Sequence, residues 1–231
     1  MQPRCLICHE HIDTPVSWTT IFSKEKEQVV CQNCEQKFAR ITGEICRICC
    51  RPLSAHFRNE DLCLDCARWE IDPEWSGMLK RNISLFGYND FLKEVIARYK
   101  FRGDYVLAKV FREEIHRKLA QLRFDQLIPI PLSAERLYER GFNQAEALIK
   151  EAGYQAMPLL TRKHAEKQSK KSRHERIHLP QVFQIAGDLD LRGKTVVLVD
   201  DIYTTGSTLR HAAKLLKQAG AASIQSLTIA R

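Results

Sequence analysis

From residue 83 to the C-terminus, apolar positions alternate between helical and strand-like spacing. Phe91, Val95, Ile96 and Tyr99 share one helical face, and Leu107, Phe111, Ile115, Leu119 and Leu122 line a second. "DQLIPIP" (125–131) is a short apolar run ended by prolines and predicts a buried strand. "FNQAEALIKEAG" predicts a helix closed by Gly153, and "AMPLL" a short strand. "KTVVLVD" carries the strongest strand signal in the chain. "TGSTLRHAAKLLKQAG" then reads as a helix stopped at Gly220, and "SIQSLTIA" as the last strand. Strands alternating with helices predict an α/β fold with a largely parallel sheet flanked by helices on both faces.

The N-terminal part has no such periodicity. All nine cysteines lie before residue 67, eight of them as four C-x-x-C pairs. These are "CLIC" (Cys5, Cys8), "CQNC" (Cys31, Cys34), "CRIC" (Cys46, Cys49) and "CLDC" (Cys63, Cys66), with Cys50 left over. A C-x-x-C turn presents two thiolates to one ion, and a tetrahedral Zn²⁺ takes four at ~2.3 Å. Four pairs therefore fit two structural zinc ions, as tandem ribbons if the pairs close sequentially, or cross-braced. Iron–sulfur ligation is the competing reading. The segments between the pairs hold too few apolar residues for a core of their own, so metal binding supplies most of their folding free energy. The compositional break divides the chain into a small double zinc-ribbon module (1–72), a linker (73–82) and the α/β domain (83–231), with Pro73 and Gly77 as breakers.

Charge and compartment narrow the picture. Lys and Arg number 36 against 28 Asp and Glu, a formal charge of +8 at pH 7, which favours a polyanionic partner or an anionic ligand. No apolar run reaches membrane-spanning length, and "MQPRCLICHEHID" lacks an apolar signal core. The expectation is a soluble cytoplasmic protein without membrane insertion, whose cysteines hold metal in place of forming disulfides.

The candidate chemistry gathers in "VVLVDDIYTTGST" (196–208). In open α/β sheets, ligands bind beyond the carboxyl ends of strands. Thr204, Thr205, Gly206, Ser207 and Thr208 place consecutive amides and hydroxyls where a helix begins, a nest for phosphate. Asp200 and Asp201 repel phosphate but suit ribose hydroxyls, or a Mg²⁺ carried in by the ligand. Together they fit a sugar phosphate. A Walker-type nucleotide site does not fit, because "GDLDLRGKT" (187–195) precedes its strand and spaces its glycines one residue too far apart.

This segment resembles the phosphoribosyl pyrophosphate (PRPP) loop of the type I phosphoribosyltransferases. "IPIPLSAERLYERGFNQAEAL" (128–148) resembles the signature of the ComF family, and "YKFRGDYVLA" (99–108) its K-[FY]-R-G-D segment. With the paired ribbons in front, the similarity spans essentially the whole chain. It implies a type I phosphoribosyltransferase-like fold that binds PRPP with Mg²⁺. Asp200 and Asp201 would meet the ribose hydroxyls, and Thr204 to Thr208 the 5′-phosphate. Arg136 and Arg140 would meet the pyrophosphate, with Lys100 and Arg102 nearby; Asp200, Asp201 and Arg140 are the catalytic candidates. Arginine suits that place because its planar fork grips phosphate oxygens in pairs.

The basic stretch "TRKHAEKQSKKSRHER" (161–176) is read as a loop over the ligand. Through Lys167, Lys170, Lys171, Arg173 and Arg176 it is also the expected contact for single-stranded DNA. Having no aromatics, it would bind phosphates and tolerate any sequence. The resemblance implies a competence protein, an accessory to DNA uptake in natural transformation, docking on a competence DNA translocase or helicase. The alternative is an active phosphoribosyltransferase, although nothing in the sequence selects an acceptor. Cys50 stands where the family commonly has Gly after the third cysteine pair.

Overall fold

The computed structural model describes residues 3–12, 27–101, 103–162, 182–187 and 190–231. Its cysteine-rich part contains the same turn twice. Cys5 N–H donates to Glu10 O and His9 N–H to Cys5 O; 41 residues on, Cys46 N–H donates to Arg51 O and Cys50 N–H to Cys46 O. The residue closing each turn is left-handed, with φ of 64° at His9 and 60° at Cys50. That geometry is why glycine is the ordinary occupant there. In each unit the returning cysteine pair opens a helix, α1 (Gln32–Glu35) after Cys31 and α2 (Leu64–Ile71) after Cys63. The second unit adds a hairpin of β1 (Arg58–Asn59) and β2 (Leu62–Cys63).

The main sheet has four strands: β3 (Arg81–Phe86), β4 (Gln126–Pro129), β7 (Thr195–Ile202) and β8 (Ser223–Ala230). Their order is β3-β8-β7-β4, and every pairing is parallel. The connections carry α3 (Asp90–Phe101), α4 (Ala108–Ala120), α5 (Ala134–Arg140), α6 (Gln144–Glu151) and α7 (Ser207–Gln218). The strand expected over "AMPLL" begins only at Leu160. As β5 (Leu160–Arg162) it pairs antiparallel with β6 (Phe183–Ile185) in a separate small sheet.

β7 is buried on both faces, so its sequence is a continuous apolar run. β3 has no such signal, because its polar residues are buried too. Asn82 Nδ2 donates to Ser84 Oγ at 2.7 Å and to Thr228 Oγ1 at 3.1 Å, and Ser226 Oγ donates to Asn82 Oδ1 at 2.8 Å. A fully bonded polar network can lie inside a sheet, and it leaves no hydrophobic pattern to read.

The two cysteine units pack on opposite faces of this sheet. Cys5 and Cys34 share a core with Leu92, Val95, Phe111 and Ile115 of α3 and α4, and with Val197 and Val199 of β7. Cys46, Cys49, Cys63 and Cys66 share the other core, with Val196 and Leu198 of β7 and Leu209 and Leu216 of α7.

Candidate functional site

The eight paired cysteines form two clusters. The sulfurs of Cys5, Cys8, Cys31 and Cys34 all lie within 4.8 Å of one another, as do those of Cys46, Cys49, Cys63 and Cys66. Four sulfurs ~2.3 Å from one tetrahedral ion stand ~3.8 Å apart. Cys8 and Cys31 are separated by 3.6 Å between sulfurs, and Cys49 and Cys63 by 3.6 Å. All nine cysteines are unbridged. This donor set fits two metal ions held in zinc-ribbon fashion, with sequential pairing. Cys50 turns away, its thiol donating to Asn82 O at 3.1 Å.

The second centre of chemistry lies at the carboxyl end of β7. Asp201 is nearly buried and pairs with Lys100 Nζ, from the last turn of α3, at 2.7 Å. Its N–H donates to Asp200 Oδ1 at 2.9 Å. Burial, and then the neighbouring Asp201 charge, push the Asp200 carboxyl up to about 7. At neutral pH, one of the two adjacent acids is therefore poised between its protonated and ionised forms.

Beyond the acids the chain reaches α7 through Gly206, which N-caps the helix at φ 80° with no side-chain cap. Glycine is needed there on two counts. The backbone is left-handed, and a Cβ would lie 2.1 Å from Tyr203 Oη. The cap position itself offers the helix no side chain. Thr205 Oγ1 accepts one long bond from Ser207 N–H, 3.4 Å. A 12-residue helix entered this way directs its first amides and its positive dipole end outward, an anion-binding arrangement.

The arginines face the same end. Ser133 caps α5 by accepting from Arg136 N–H, and the helix ends at Arg140 and the left-handed Gly141. The Arg140 guanidinium donates to Gln144 Oε1 at 3.0 Å and lies over the Phe101 ring, 5.4 Å from its centroid. Burial lowers its pKa; Asp201 opposes that effect, and Arg136 adds to it. The signature "RGFNQ" is thereby explained residue by residue. Gly141 ends the helix, and Phe142 packs between Tyr99 and Tyr105. Asn143 caps α6, accepting from Glu146 N–H, and Gln144 holds Arg140.

Arg162, at the end of β5, belongs to the same group and was not singled out from the sequence. Burial lowers its pKa, Arg136 lowers it further, and Asp200 acts against both. Its guanidinium stacks on Phe183 at 5.8 Å. The available signal was its place at the head of the basic stretch, where it could not be told from six other cations. Lys167, Lys170, Lys171, Arg173 and Arg176, together with Arg102, lie outside the described residues.

A parallel sheet that carries paired acids and a glycine-entered helix at its carboxyl end, faced by arginines, defines a domain of the phosphoribosyltransferase type. Residues 138–231 match the family profile "Phosphoribosyl transferase domain". Competence protein ComFC of Bacillus subtilis (strain 168) is 38% identical over 231 residues, covering 98% of this chain and 94% of that protein. Competence protein ComFC of Streptococcus pneumoniae (strain ATCC BAA-255 / R6) is 34% identical, covering 99% of this chain and 100% of its own length. DNA utilization protein YhgH of Salmonella typhimurium is 26% identical, covering 87% and 96%. Among solved structures, a hypoxanthine phosphoribosyltransferase from Staphylococcus aureus aligns with 52% of this chain and 61% of its own, at 18% identity and a TM-score of 0.33. The chain belongs to the ComF family of competence proteins. Among the described residues, no helix is long and apolar enough to cross a membrane.

Proposed function

We infer that the protein is a cytoplasmic DNA-handling accessory of natural transformation that binds a PRPP-type ligand at the end of β7. The observation carrying this reading is the start of α7, entered through the side-chain-free Gly206 one short loop after Asp200 and Asp201, with Arg136, Arg140 and Arg162 grouped about the acids. Ribose hydroxyls and a ligand-borne Mg²⁺ would take the acids, and the amides of 204–208 the 5′-phosphate. The arginines would take the pyrophosphate. Lys100 pairs with Asp201, which sets its ammonium beside the acids. A ligand that engages Asp201 through a hydroxyl or metal ion would draw on the same carboxylate and leave the ammonium to a phosphate. The two cysteine clusters hold structural zinc and have no open coordination position.

Single-stranded DNA would bind along Lys167, Lys170, Lys171, Arg173 and Arg176, by charge. The ribbons would supply the docking face for a competence DNA translocase. The names of the relatives and the basic balance of the chain support this part.

One observation favours an active phosphoribosyltransferase as the second reading. A carboxyl held at about 7 can pass a proton to or from an acceptor at neutral pH, the property a general acid or base needs.

The test is calorimetric titration of the zinc-loaded protein with Mg-PRPP and, separately, with single-stranded DNA, each repeated on Asp201→Ala. The reading expects Mg-PRPP binding that the variant loses at least tenfold, and DNA binding that the variant retains. A parent protein that takes up no Mg-PRPP sinks the sugar-phosphate reading.

A further inference from the structure

The candidate phosphate loop is held from behind by Trp69, on the helix that carries Cys66, and by Arg231, which follows β8. Trp69 stands three positions after the ligand Cys66 on α2, and its Nε1–H donates to Thr205 O at 3.0 Å. Arg231 Nη1 donates to Thr204 O at 2.7 Å and to Tyr203 O at 3.2 Å. Three successive carbonyls, of residues 203, 204 and 205, are thus drawn to the metal side. In a planar trans peptide the C=O of one residue and the N–H of the next point in opposite directions. Fixing those carbonyls therefore turns the N–H groups of Thr204, Thr205 and Gly206 the other way, toward the proposed phosphate. The Tyr203 ring, under Gly206, fills the space between.

Arg231 also lies beside the second cluster, its guanidinium next to the Cys49 sulfur. Its Nε and Nη2 are buried with no hydrogen-bond partner of ordinary geometry. A divalent ion with four thiolates is a dianion, and a buried dianion needs a neighbouring cation. Arg231 meets that need, so these residues fit the metal site as well as the loop. On the other side, Arg210 in the first turn of α7 is fully buried and pairs with Glu70 of α2 at 2.9 Å.

The geometry points to Trp69 and Arg231 as positioning residues that orient the amides of the phosphate loop from the second metal site, so that a filled cluster is a condition for tight phosphate binding. This rests on the sugar-phosphate reading for its ligand and on the loop contacts alone for its mechanics. A helix tip is a generic anion site; here its approach loop is set by a metal-anchored clamp.

The experiment uses the full-length, zinc-loaded protein with Trp69→Phe, which keeps a ring and removes the N–H, and Arg231→Lys, which keeps the charge and removes the fork. Hydrogen exchange in the absence of ligand follows two amides bonded at either end of the loop, Tyr203 N–H to Ala230 O and Arg210 N–H to Gly206 O. Val197, in mid-β7, reports global opening. Each variant is expected to speed exchange at Tyr203 and Arg210 by roughly three- to tenfold, the worth of one hydrogen bond, with Val197 and zinc content unchanged. Mg-PRPP affinity should fall by a similar factor. Unchanged exchange at both amides overturns the proposal, and so does acceleration shared equally by Val197. Faster exchange with unaltered Mg-PRPP affinity overturns the link to the ligand. If the parent protein itself takes up no Mg-PRPP, the sugar-phosphate reading falls, while exchange alone still decides the clamp.

Discussion

The two cysteine clusters share a ligand set and a turn geometry, yet they sit in the molecule on different terms. In the second, all four sulfurs are buried, in one core with α7 and β7. In the first, Cys8 is exposed and Cys31 half-buried. That unit is docked by Arg98 of α3, which donates to Ile7 O at 2.5 Å and Leu6 O at 3.3 Å and pairs with Asp104 at 3.1 Å. One cluster is part of the wall on which the candidate site is built; the other is an attachment to a helix that ends at the site. Likeness of local motif does not imply likeness of role, because role follows from what surrounds the motif.

The largest effect comes from losing a ligand at each cluster in turn. Cys49→Ser should unfold the whole chain. A structural zinc site supplies on the order of 10 kcal/mol, comparable with the entire stability of a domain, and this one has all four of its cysteines buried. Cys8→Ser should release only the first unit and leave a cooperative melt of the sheet. Circular dichroism with limited proteolysis reads both, and matching outcomes for the two variants would erase the distinction.

A smaller effect sharpens the comparison on the side of the second cluster. Asp200 holds its proton to about 7, against an ordinary 3.8, so the folded chain binds a proton that the unfolded chain gives up. The stabilisation this brings is complete below the unfolded value, and it is lost as pH climbs through 7. Asp200→Asn should therefore melt higher than the parent by a margin that widens from pH 5.5 to 7 and then levels. A margin independent of pH would show that burial does not hold that proton. Magnesium favours the ionised acid, so Mg-PRPP uptake should release a proton and tighten between pH 6 and 8, as titration in buffers of different ionisation heat will report.

The smallest effect concerns the left-handed turn that both units share. Cys50→Gly removes a side chain from φ 60° but also forfeits the bond to Asn82 O. A net gain of at most about 1 kcal/mol is expected, seen as a slight rise in midpoint on denaturant melting.

The strands and helices that follow hydropathy were legible in the sequence, β7 and α7 above all, because an apolar run with a glycine-entered helix has one reading. So was the gathering of eight cysteines into two groups of four, since C-x-x-C spacing is what a tetrahedral ion asks for. β3 was hidden because Asn82, Ser84, Ser226 and Thr228 satisfy one another inside the sheet. Composition breaks after residue 67, but the cores do not, since buried cysteines count as apolar packing as well as ligands. Arg162 and Arg231 could not be picked out among 36 cations, because their roles come from neighbours that the chain brings together only on folding.

The same buried polar group has a consequence for how the chain assembles. β3 and β8 meet across 144 residues, so their pairing closes the longest loop in the sheet and is the slowest kind of contact to form. Purely apolar strands could make that late contact one residue out of step at modest cost. Here a slip of one residue would strand an amide and three hydroxyls without partners in a dry interior, and each would be penalised. The network thus works as a checkpoint at the final join: only the correct alignment of the two distant segments is accepted.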